Sequence, residues 1–145
     1  MLRERLDEIS QVLGPYVPEA VVDRDPSEVA LLHTLTTRIA GFKDRSYATS
    51  AGTSLRIVGI RKPLEDTESE EFEFVVPFIV QFDGKAAPEI WGEAERQFEA
   101  QVSDAVAEAA KQVFETPTVK LVRRKKSDPY KDDPRSLTLL RFRVS

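Results

Sequence analysis

The chain has 145 residues, 32% of them charged and 41% hydrophobic, with a net charge of −4, which fits one folded domain rather than a disordered segment. It holds no cysteine and a single histidine, His33, which excludes disulfides, thiolate nucleophiles, iron–sulfur clusters and multi-histidine zinc sites. The charge is uneven: residues 115–145 hold nine Lys/Arg against four Asp/Glu, leaving −9 on residues 1–114, so one end is suited to a negative surface or to the opposite end of another copy.

The opening "MLRERLDEISQVLG" places Leu2, Leu6, Ile9 and Leu13 at helical spacing before Gly14-Pro15 interrupts it. Charges inside that pattern are unlike a signal peptide, and no apolar run approaches the roughly 20 residues of a membrane helix. The expectation is a cytoplasmic protein without membrane contact. A second helix is expected over 26–40. Asp25 would be its cap, Pro26 its first residue, and Glu28 would reach back as in a capping box. Leu31, Leu32, Leu35 and Ile39 would form its apolar stripe, closed by Gly41.

"FKDRSYATSAG" (42–52) has no apolar period and reads as a loop, followed by a half-buried strand in "TSLRIVGIR" (53–61). "KPLEDTESEE" (62–71) reads as a solvated acidic turn. The strongest periodicity lies in "EFEFVVPFIVQF", where Phe72, Phe74, Val76, Phe78, Val80 and Phe82 alternate and therefore share one face. The opposite face carries Glu73, Val75, Pro77, Ile79 and Gln81, apolar at its middle, and is expected to meet another subunit. Pro77 cannot donate to a ladder, which predicts a bulge or an edge position.

A long helix is expected from about 88 to 115, with Trp91, Ala94, Phe98, Val102, Ala105, Ala109 and Val113 along one stripe. An aromatic stripe at this spacing packs in a core more often than it binds a ligand. "TVKLV" and "SLTLLRFRV" then form a hairpin, with Thr138, Leu140, Phe142 and Val144 facing one way and Leu137, Leu139, Arg141 and Arg143 the other. The order is α-α-β-β-α-β-β. It predicts a single α+β domain: an N-terminal helical segment over 1–41, then one antiparallel sheet of about four strands plus a long helix over 53–145, with the long helix and the N-terminal helices packed on the sheet.

No catalytic residue, cofactor site or metal site emerges. The chain has no phosphate-cradling glycine run, no zinc-protease motif and no nucleophile elbow. His33, between Leu32 and Thr34, reads as a helix-surface histidine; a general base would need a nucleophile and an orienting carboxylate that nothing local supplies. "EDTESEE" has five carboxylates in seven residues but lacks the ligand spacing and glycine of an EF-hand loop. The hydroxyls and arginine of 42–54 offer an anion site, although a flexible connection explains the same residues with fewer assumptions. Arg123, Arg124, Lys125 and Lys126, with Lys131 beyond, raise the prospect of nucleic acid. On a strand, however, consecutive charges straddle the sheet, and no aromatic ring is interleaved for base stacking. They read as an exposed hairpin tip able to touch an acidic partner.

In layout the segments "RKPLEDTESEEFEFVVPFIVQF", "PEIWGEAERQFEAQV" and "YKDDPRSLTLLRFRV" resemble the tail terminator (tail-completion, head–tail joining) proteins of long-tailed bacteriophages. The helix expected at 26–40 departs from that layout. The resemblance implies a non-enzymatic subunit that forms a homo-oligomeric ring, usually of six, caps the tail tube and meets the head connector. DNA would at most pass through the lumen. The partner-binding residues expected on this reading are Val75, Pro77 and Ile79 with Arg123, Arg124, Lys125, Lys126 and Lys131. The competing expectation is a small adaptor or nucleic-acid-binding module that uses the basic hairpin of 120–126.

Overall fold

The computed structural model describes residues 25–127 and 135–145. The helix expected near the N-terminus lies outside the described residues, as does Lys131. Helix α1 spans Pro26–Ala40. The Asp25 side chain caps it by accepting from the Ser27 N–H at 2.8 Å, satisfying a donor that the first turn leaves free. Leu31, Leu35 and Ile39 form its buried stripe.

Six strands follow the chain around a second helix: β1 (Ser46–Ala48), β2 (Ser54–Ile60), β3 (Leu64–Glu65), β4 (Phe72–Asp83), then α2 (Pro88–Lys111), β5 (Val119–Lys126) and β6 (Arg135–Val144). All pairings are antiparallel, in the order β1-β2-β4-β6-β5, with β3 beside β4. The α+β class is as expected, but the sheet has six strands rather than about four. The two additional strands, β1 and β3, are three and two residues long, too short to display an alternation. β5 also runs further than "TVKLV": the basic residues 123–126 end a strand instead of forming a hairpin tip.

Helices α1 and α2 both cover one face of the sheet. Phe74, Val76, Phe78 and Val80 of β4, with Leu140 and Phe142 of β6, are buried against them. Phe98 of α2 meets Phe78 edge-on at 4.9 Å, and Trp91 meets Phe82 at 4.8 Å, so the alternating strand lies under the tryptophan-bearing helix. That helix ends at Lys111 rather than near 115. Thr116 precedes Pro117 and is biased toward extended backbone, while Val113 and Phe114 turn into the core.

Pro77 lies in a central strand, neither at the sheet's edge nor in a bulge. β4 is tolerant there because its neighbour on one side is interrupted between Ile60 and Leu64. The Pro77 carbonyl accepts from Arg61 N–H across that gap at 3.0 Å. A strand residue's nitrogen and carbonyl point to the same side, so the missing donor faces the place where no ladder continues.

Candidate assembly surface

No described helix covers the second face of the sheet. Cross-strand register places its residues in rows, because residues opposite one another in a ladder share a face. One row runs Glu73–Arg143–Lys120, the next Leu64–Val75–Arg141–Arg123, and a third Pro77–Leu139–Lys125. A fourth holds Gly59, Ile79 and Leu137. The middle of this face is therefore apolar, with Leu64 62% and Leu137 42% exposed, while Val75, Ile79 and Leu139 are half-buried and Pro77 is buried by its neighbours.

The expected set of partner-binding residues divides between the two faces. Val75, Pro77 and Ile79 share the bare face with Arg123 and Lys125. Arg124 and Lys126 point to the other face. A register shift between Leu121 and Arg123 sets this phase, as bulges do. Arg124 Nη1 donates to both Glu99 oxygens at 2.8 Å, and Lys126 Nζ donates to Glu95 at 2.6 Å. The Glu99 carboxylate raises the Arg124 pKa above its ordinary value, chiefly through that hydrogen bond. These two pairs rim a cavity of about 240 Å³ floored by Leu55, Val80 and Phe98. Half of the basic run is thus neutralised within the chain, which the sequence alone does not reveal.

Lys120, Arg123 and Lys125 are left in a line along β5, exposed and ion-paired to no described residue. At one end of the same face, Arg141 Nη1 reaches Asp66 at 3.0 Å and Glu73 at 3.2 Å, while Arg143 Nη2 reaches Glu73 at 2.8 Å. The Arg143 hydrogen bond, reinforced by Arg141 and opposed by partial burial, holds the Glu73 carboxyl below its ordinary value. Asp66 is lowered first by the Glu68 backbone N–H and then by Arg141. These bonds tether the acidic 65–71 turn to β6. Glu68 and Glu70 remain exposed, with no ion pair to a described residue.

Among the described residues, the remaining sequence candidates stand apart from one another. In the 42–54 segment, which holds β1 rather than being all loop, the anion is the chain's own Glu93, whose carboxylate accepts from Ser50 N–H at 2.8 Å and Ser50 Oγ at 2.9 Å. The backbone bond is the main cause of the lowered Glu93 pKa. His33 is exposed on α1. Among the described residues, no group of acidic or histidine side chains is arranged to hold a metal ion, and no helix is long and apolar enough to cross a membrane.

Leu64, Leu137, Leu139 and Lys120 belong to this surface but were not among the expected binding residues. Alternation already put Leu137 and Leu139 on one face, whereas Leu64 sits in a segment with no period. No protein-family model matches the chain, and no curated protein matches it significantly.

Proposed function

We propose that this protein is a non-enzymatic structural assembly subunit that associates with its own copies through the bare face of the sheet. Its specific form would be a tail-terminator-like ring that caps a tube and joins it to a head connector. The single observation that carries the reading is the apolar strip of Val75, Ile79, Leu137 and Leu139 around Pro77 on the two central strands, which no described helix covers, opposite the face that holds both described helices. A contiguous apolar patch of this kind marks an interaction surface, and head-to-tail contacts that close produce a ring.

The test is sedimentation of the purified protein together with negative-stain imaging. A closed ring is the expected species, and Ile79→Asp should release monomers with unchanged circular dichroism. A monomer at every concentration, without docking to tube or connector proteins, overturns the reading. The exposed line of Lys120, Arg123 and Lys125, ion-paired to no described residue, supports a second reading, a nucleic-acid-binding module. It requires DNA binding that weakens steeply with salt and is lost in the triple serine variant.

A further inference from the structure

Resting on self-assembly, we propose that one rim of this protein docks on the opposite rim of a second copy. The exposed Leu64 and the acidic turn at 66–71 of one copy would seat on Leu137, Leu139 and the cationic line Lys120–Arg123–Lys125 of another. Each rim pairs an exposed leucine with charge that no described residue offsets. Leu64 (62% exposed) lies on β3 just before the turn that carries Glu68 and Glu70, whereas Leu137 (42% exposed) lies on the strand between β4 and the three cations. The two charge sets are opposite in sign, and neither is ion-paired to a described residue.

Among the described residues, the two charge sets do not meet across this face within one copy. β3 and β5 are separated by β4 and β6, three strand spacings or roughly 14 Å. Arg141 and Arg143, midway, already hold Asp66, Glu71 and Glu73. The three cations face the same way as the apolar strip. Alternate strand residues lie roughly 7 Å apart, so a segment laid over Leu137 and Leu139 meets Lys125, opposite Leu139, reaches Arg123 one row on, and must extend to the Arg143 row to meet Lys120. A neutral or basic neighbour would leave cations unpaired beside a desolvated strip, which is unfavourable. The acidic, leucine-bearing rim of another copy meets both requirements.

Two charge-reversed proteins test the contact. One carries Lys120→Glu, Arg123→Glu and Lys125→Glu; the other carries Glu68→Lys and Glu70→Lys. Each alone should raise the concentration for half-dissociation at least tenfold. An equimolar mixture should restore assemblies containing both in equal amounts. All five positions are exposed, and unchanged thermal unfolding of each variant confirms the fold. Leu64→Asp and Leu137→Asp should each dissociate the assembly without any charge partner being removed.

Wild-type-like assembly by both reversed proteins, or a mixture that stays dissociated, overturns this contact while leaving self-assembly intact. Loss of polyanion binding in the first variant, with assembly unaffected, also overturns it and assigns the cationic line to nucleic acid. A wild-type protein that remains monomeric removes the self-assembly reading and this contact together.

Discussion

Replacing Phe98 with Ala tests whether α2 is clamped to the sheet through the aromatic cluster. Phe98 is 1% exposed, meets the Phe78 ring edge-on at 4.9 Å and lies 5.8 Å from the Tyr47 ring. Removing the ring forfeits about 1.5–3 kcal/mol of buried apolar surface and about 0.5–1.5 kcal/mol per aromatic pair. With the residual cavity, the expected loss is about 3–5 kcal/mol. Urea unfolding followed by Trp91 fluorescence should show the midpoint falling by about 2 M, taking a slope near 2 kcal/mol/M. The slope itself should be unchanged. Val29→Ala, at a 45% exposed position on α1, serves as the control and should stay within about 0.5 kcal/mol. A Phe98→Ala loss below about 1 kcal/mol would refute the packing argument, because α2 would then not depend on that ring to hold the sheet.

The lowered Glu73 and Asp66 pKa values set a direction for acid sensitivity. A depressed carboxyl adds stability above its unfolded value, and that stability is lost as pH falls through the folded one. The stability difference between wild type and Glu73→Gln should therefore be constant near neutrality, shrink below about pH 4.5 and vanish at the acid end of a pH series. Gly84 has φ +104°, and a Cβ there would stand 2.7 Å from Thr53 Cγ2; Gly84→Ala should cost about 1–3 kcal/mol in a thermal melt. By contrast Gly92, inside α2 and approached only by the flexible end of Arg96, should gain about 0.5–1 kcal/mol on replacement by Ala. A double-mutant cycle on Arg124 and Glu99, whose side chains are 57% and 14% exposed, should return a coupling of about 1 kcal/mol or less that falls with salt.

Much of the helix-covered face was legible in the residue order, because alternation and helical spacing are local consequences of pleat and turn. Phe72 to Phe82 and Thr138 to Val144 reveal their inner faces without any neighbour. Asp25 and Pro26 likewise announce the start of α1. The candidate surface was only half legible. Val75, Pro77 and Ile79 were recognisable as an apolar reverse side, but Leu64 lies in a two-residue strand that exists only because Val75 and Phe74 pair with it.

Local chemistry by itself therefore determined which residues alternate, where α1 begins, and that disulfides are excluded. Tertiary structure alone decided the fate of the charges. The β5 register shift sends Arg124 and Lys126 to the carboxylates of α2 while leaving Lys120, Arg123 and Lys125 on the opposite side. It also decided that Pro77 can occupy a central strand, because the neighbouring ladder breaks there. Both outcomes depend on which distant backbone lies alongside. Strand pairing joins positions far apart in the chain, so its phase cannot be read from either strand alone.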